Sequence, residues 1–199
     1  MRGMIGKLTR GWEWFKGRAE GGHTKAWLVA LSFTESFIFI IPPDPLLAAI
    51  ILAGSKRWHY YAAITTIASI AGAAVGYMIG VFFFETFGVF LLNTYGLTDD
   101  FTVVQGYFNE NTFGVILFSA ITPIPFKVFV LMAGFLKVNV IAFIAASIIG
   151  RGVRYVAIAY LVHRFGEKAL TAAKRHSTLV TILSFSLFVL YVLYIVLKK

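Results

Sequence analysis

Prolines interrupt two of the long apolar segments in this chain, and this combination limits the folds that are available to it. The prolines are Pro42, Pro43 and Pro45 in residues 26–54, and Pro123 and Pro125 in residues 112–136. Because proline lacks the amide hydrogen that continues a helix, each segment must bend or end at these positions. Irregular backbone of this kind persists at membrane depth only where it is buried in protein or lines a water-filled cavity.

The composition indicates a membrane protein. Of the 199 residues, 59% are hydrophobic and 14% are charged, whereas a soluble domain carries roughly 25% charged residues. This excess excludes an ordinary soluble enzyme and a disordered chain, and the absence of cysteine excludes a disulfide-stapled module and a thiolate metal site. We therefore expect an all-α integral membrane protein.

The first broken segment is too short on either side of the break to cross a bilayer. Its first arm has 16 residues, which make a helix of about 24 Å against a hydrocarbon core of about 30 Å. Its second arm, residues 46–54, is shorter still. The pattern predicts a re-entrant hairpin, and a broken helix that crosses fully remains the alternative.

About three uninterrupted runs are long enough to span a membrane. They are residues 59–84, 138–163 and 178–197. Gly72, Gly76 and Gly80 recur every four residues in the first run, which favours close helix packing. The mixed residues 85–111 predict a loop and a surface helix.

The sequence repeats itself at an offset of 80 positions. Nine residues coincide within 40 positions, including Pro43 with Pro123 and Gly72 with Gly152. The two repeat units are residues 26–84 and 112–163, and each is a broken hairpin followed by a full span.

The distribution of lysine and arginine predicts the orientation of these units. With the N-terminus in the cytoplasm, 12 basic residues lie inside and 3 lie outside, as the positive-inside rule requires. The basic, amphipathic residues 1–25 and the basic loop 164–177 are then cytoplasmic. The two units enter from opposite faces, which makes them an inverted repeat within a membrane domain of residues 26–163.

Five ionisable residues lie within the apolar segments. They are Glu35, Asp44, Lys127, Arg151 and Arg154. Each costs at least about 2.5 kcal/mol at bilayer depth, so intramembrane charges of this kind usually pair or serve transport. Two acids with three bases favour an anionic headgroup, because arginine forks suit phosphate. The alternative is that the charges only hold the hairpins together. No catalytic residue, cofactor site or metal site is expected.

These motifs resemble those of the DedA superfamily, also called SNARE-associated or VTT-domain proteins, and within it the YqaA-like branch. The resemblance rests on the proline-broken hairpin with Asp44 at its tip, the glycine-striped span, the second proline pair with Lys127, and Arg151 with Arg154. It implies two re-entrant hairpins that meet from opposite faces. The family's acids match Glu35 and Asp44, and its arginines match Arg151 or Arg154. Lys127 and Ser119 stand where many members carry arginine.

The resemblance also implies a function. We expect a lipid translocase, similar to a flippase or scramblase, that moves an anionic lipid such as undecaprenyl phosphate or a phospholipid, with coupling to protons. It would be a multi-pass protein of the bacterial inner membrane, with the bilayer, the lipid and protons as partners and no nucleic acid. The alternative is a structural or assembly factor without transport activity. A third hypothesis is an integral membrane lipid enzyme.

Overall fold

The fold is helical throughout the part of the chain that the structure describes. This structure, a computed structural model, describes residues 17–38, 41–96, 98–122 and 124–172, and beyond them only positions 175, 182, 186 and 190. The helices are α1 (Gly22–Glu35), α2 (Asp44–Leu52), α3 (Trp58–Phe83), α4 (Val89–Tyr95), α5 (Thr98–Ile121), α6 (Phe126–Phe135) and α7 (Val140–Phe165). A π-helical segment, Phe84–Gly88, joins α3 to α4. These ranges contain no strand.

Two helices within these ranges are long and apolar enough to cross a membrane. One is the continuous helix Trp58–Gly88, formed by α3 and the π-helical segment, and the other is α7. They pack against each other. They coincide with two of the three expected spans. The third, residues 178–197, lies outside the described residues except for three positions, and the N-terminal residues 1–16 lie outside them entirely.

Large apolar side chains point outward along both of these helices. Ile67 is 66% exposed, Phe82 is 68% exposed and Ile141 is 78% exposed. A soluble monomer rarely exposes so much contiguous apolar surface. This surface is suited to contact with lipid.

The prolines set where the two short helices begin. Pro45 lies in the first turn of α2, where its missing amide hydrogen is not needed. Pro125 directly precedes α6 and has extended backbone. The first break is wider than the prolines alone indicate, because α1 already ends at Glu35. With 9 and 10 residues, α2 and α6 are each about 14–15 Å long.

The first half of the fold contains α1, α2 and α3, and the second half contains α5, α6 and α7. The short helix of each half packs on the long helix of the other half. Within the halves, α1 packs on α3 and α5 packs on α7. Between the halves, α2 packs on α7 and α6 packs on α3. The two long helices therefore form the centre of the fold, and each short helix is held by the long helix of the opposite half.

Glycines allow these close contacts. A Cβ atom on Gly72 would lie 2.0 Å from the Phe33 carbonyl oxygen, and one on Gly80 would lie 2.3 Å from the Leu131 carbonyl oxygen. A Cβ atom on Gly76 would lie 2.6 Å from the nearest atom, in the Val130 side chain. All three glycines thus lie at helix contacts, as the four-residue spacing predicts.

Residues 85–111, which were expected to form a loop and a surface helix, are helical at every described position except Gly96. Here α5 begins at Thr98 and runs without a break through residue 112. Its polar side chains make specific bonds: Gln105 Nε2 donates to the Leu136 carbonyl oxygen, and Asn109 Oδ1 accepts from the Asn139 amide. These residues interrupt the apolar pattern because they attach the helix to the turn before α7.

Candidate functional site

Four of the five expected charged residues form two ion pairs on one side of α7. Arg151 Nη2 lies 2.5 Å from Glu35 Oε2, and Arg154 Nη2 pairs with Asp44 Oδ2. The two arginines are three residues apart, so they share a helix face. Because Glu35 is the last residue of α1 and Asp44 is the first residue of α2, both ends of the first proline break are fastened to α7.

Arg151 is the more deeply buried of the two arginines. Its side chain is 2% exposed, whereas Glu35 is 18% exposed. The guanidinium carbon lies 4.3 Å from the centre of the Phe126 ring and 5.5 Å from that of Tyr155, and such cation–π contacts stabilise a desolvated cation. Phe126 and Tyr155 belong to two different hydrophobic clusters, so Arg151 lies where these clusters meet.

Arg154 connects the two proline breaks. Besides pairing with Asp44, it donates through Nη1 to the Thr122 carbonyl oxygen at 2.9 Å. Thr122 directly follows the end of α5, at the start of the second break. Arg154 and Asp44 are 21% and 22% exposed, so this pair is more accessible than Arg151.

Three buried polar atoms of these pairs have no hydrogen-bond partner among the described residues. They are Asp44 Oδ1, Arg151 Nε and Arg154 Nε. A buried donor or acceptor without a partner costs about 1–3 kcal/mol. The site therefore retains two N–H donors and one carboxylate acceptor that are able to bind a further polar group.

The remaining expected site residues lie around these pairs. Lys127 is half-buried in the first turn of α6 and belongs to neither pair. Pro43 is buried, and Pro42, Pro45 and Pro125 are exposed. Pro123 lies outside the described residues. Since each acid has its own arginine, the two pairs are neutral together.

Some contacts of the site are not evident from the sequence. Ser36 donates to the Ser69 carbonyl oxygen at 2.9 Å, and their two hydroxyl oxygens are also 2.9 Å apart, which fixes the chain beside Glu35 against α3. No sequence signal connects these serines. The role of Tyr155 was detectable, because it follows Arg151 by four residues and so shares its helix face.

The described residues contain no group of three or more histidine, cysteine, aspartate or glutamate side chains that could hold a metal ion. Their chemistry is that of guanidinium and carboxylate groups. Such an arrangement can exchange one anion for another at the arginines.

Comparison with known proteins identifies the family. The model of the VTT domain matches residues 41–164, which include Asp44 and both arginines of the site. An uncharacterized protein of Haemophilus influenzae is 31% identical over 174 residues, which cover 87% of this chain and 88% of that protein. A second uncharacterized protein, from Histophilus somni, is 28% identical over 175 residues, covering 86% and 88% of the two chains. No solved structure matches. On the extent of these matches, the chain belongs to the VTT-domain family, which is also called the DedA family.

Proposed function

We propose that this protein is a membrane lipid translocase that moves an anionic lipid across the bacterial inner membrane. The observation that carries the proposal is the pair of arginine–carboxylate contacts at the ends of the first proline break, beside two helices long enough to span the bilayer. Charged groups at membrane depth are costly, and they commonly mark substrate or ion pathways.

The lipid headgroup would compete with the carboxylates for the arginines. A phosphate accepts paired hydrogen bonds from guanidinium, as a carboxylate does, and the unpartnered Nε atoms of Arg151 and Arg154 provide additional donors. A carboxylate displaced from its arginine loses the charge that neutralised it, and in this proposal a proton takes the place of that charge. Lipid binding and proton binding are then coupled, and each affects the other to the same extent.

The proposed arrangement in the membrane is an inverted repeat of two re-entrant hairpins, with the N-terminus in the cytoplasm. The reciprocal packing of α2 on α7 and α6 on α3 supports it, as does the excess of basic residues on the proposed cytoplasmic side. The two breaks would then meet inside the bilayer, where Arg154 contacts both of them.

The test is lipid translocation by purified protein in vesicles. The variant Asp44→Asn keeps an oxygen that accepts from Arg154 but removes the carboxylate charge. We expect it to remain folded and to translocate fluorescent phosphatidylglycerol at least tenfold more slowly than the original protein. The matched control is Glu85→Gln, which removes a carboxylate from the exposed pair with Lys137 and should leave the rate unchanged. A folded Asp44→Asn variant with the full rate would contradict the proposed site.

A structural role is the second candidate, and one observation favours it. Both pairs join separate helices, α1 and α2, to the same helix α7, so they would also stabilise a protein that transports nothing. In that case every variant that folds would retain the cellular function, and the original protein would not accelerate translocation in vesicles.

A further inference from the structure

A groove of about 570 Å³ separates α1 from α2. The two helices make little direct contact with each other, because both pack against the long helices instead. Arg18, His23 and Thr24 line the end of the groove near the start of α1. Trp27, Leu31 and Leu46 line the remainder, so the groove has a polar mouth and an apolar interior.

The groove follows one face of α1 toward the ion pairs. His23, Trp27 and Leu31 are each four residues apart, and the next residue at this spacing is Glu35. Residues four apart on a helix lie on the same face. Glu35 lies 12 positions after His23, which corresponds to about 18 Å along the helix. The groove thus follows α1 from its first turn to Leu31, which lies one helical turn before the carboxylate that pairs with Arg151.

Hydrogen bonds hold the mouth in a defined shape. Thr24 Oγ1 donates to the Arg18 carbonyl oxygen at 2.8 Å, and the Gly21 amide donates to the same oxygen at 2.8 Å. These bonds fix the turn that carries Arg18 against the beginning of α1. An exposed arginine and an exposed histidine therefore stand at one end of an apolar groove.

We propose that this groove binds an anionic phospholipid, with one acyl chain along Trp27, Leu31 and Leu46 and the phosphate at Arg18 and His23. The polarity of the lining matches this ligand at both ends, because phosphate pairs with guanidinium and the acyl chain gains by burial in an apolar groove. The inference rests on the proposed function, since it makes the groove the site where a lipid is loaded before its headgroup reaches Glu35 and Arg151.

The test is photochemical capture of lipid by the full chain. Phosphatidylglycerol with a photoactivatable acyl chain is incorporated into phosphatidylcholine vesicles that contain the protein, and the labelled peptides are identified by mass spectrometry. The variant Leu31→Trp fills the groove and should reduce labelling of the α1 and α2 peptides at least fivefold. The matched control is Val29→Trp, which adds the same ring to α1 at an exposed position outside the groove. In this variant the α1 and α2 peptides should be labelled as strongly as in the original protein.

A second variant tests the headgroup contact independently of packing. Arg18→Gln, at an exposed position, should lower capture of phosphatidylglycerol at least threefold. It should lower capture of a photoactivatable phosphatidylcholine less, because choline offsets the phosphate charge in that headgroup. Undiminished labelling in Leu31→Trp, or equal labelling by the two lipids in the original protein, would overturn the proposal. If the protein captures lipid normally in vesicles where no translocation is detected, the proposed function is wrong but the lipid-binding groove is supported.

Discussion

Replacing Glu35 with alanine removes the carboxylate that neutralises Arg151, whose side chain is 2% exposed. Removing one partner of a buried ion pair costs about 3–5 kcal/mol, because the other charge stays buried without compensation. The rings of Phe126 and Tyr155, at 4.3 Å and 5.5 Å, remain in place but carry no formal charge. Since about 1.4 kcal/mol is a tenfold change, the folding equilibrium should fall by roughly two to three and a half orders of magnitude.

The chain provides a matched control for this variant. Glu85 pairs with Lys137 at 2.9 Å, but the side chains are 59% and 40% exposed, and exposed pairs contribute only about 0–1 kcal/mol. Glu85→Ala should therefore cost less than about 1 kcal/mol. The double variant Glu35→Ala with Arg151→Met removes both buried charges and should recover most of the lost stability.

The assay is denaturant titration of the purified protein in detergent micelles, followed by tryptophan fluorescence, which gives the free energy of unfolding for each variant. The reasoning is refuted if Glu35→Ala is destabilised no more than Glu85→Ala. It is also refuted if the double variant is less stable than Glu35→Ala alone, because Arg151 would then contribute more by packing than it costs as an unpaired charge.

Two further predictions concern helix packing and orientation. In Gly72→Ala the new Cβ would lie 2.0 Å from the Phe33 carbonyl oxygen, so α1 must move by about 1.4 Å to reach ordinary contact, at a cost of about 1–3 kcal/mol. Gly152→Ala, whose Cβ would lie 3.9 Å from its nearest neighbour, should retain its thermal stability in detergent, and equal losses in the two variants would contradict this account. In intact cells an impermeant thiol reagent should label a cysteine at Asn93 and not one at Lys56, both exposed positions, and the opposite labelling would reject the proposed orientation.

The breaks in the fold were predictable because proline acts locally. Pro45 and Pro125 stand at the starts of α2 and α6, where the missing amide hydrogen and the fixed backbone angle end one helix and begin the next. The common face of Arg151 and Arg154 was predictable for the same reason, since it depends only on their spacing along one helix.

Pairing of Asp44 with one of the two arginines was predictable, because an unpaired carboxylate at membrane depth is costly, but the particular combination of acids and arginines was not. Glu35 and Arg151 are 116 residues apart, and Asp44 and Arg154 are 110 residues apart. Which acid meets which arginine depends on how α1 and α2 pack around α7, and the sequence leaves either combination open. A surface helix was expected within residues 85–111, but its unbroken continuation to Ile121 was not. Its polar residues bond to the turn before α7, a contact that hydropathy does not reveal.

The most direct test of the central claim is the rate at which the purified protein translocates fluorescent phosphatidylglycerol in vesicles, measured with and without an imposed pH gradient. The original protein should exceed protein-free vesicles and respond to the gradient. Glu35→Gln keeps an oxygen that accepts from Arg151 and cannot exchange a proton, so it should bind and move lipid without responding to the gradient. If the original protein moves lipid no faster than protein-free vesicles, the proposed function is wrong. If Glu35→Gln responds to the gradient as fully as the original protein, the coupling assigned to the pair of Glu35 with Arg151 is contradicted.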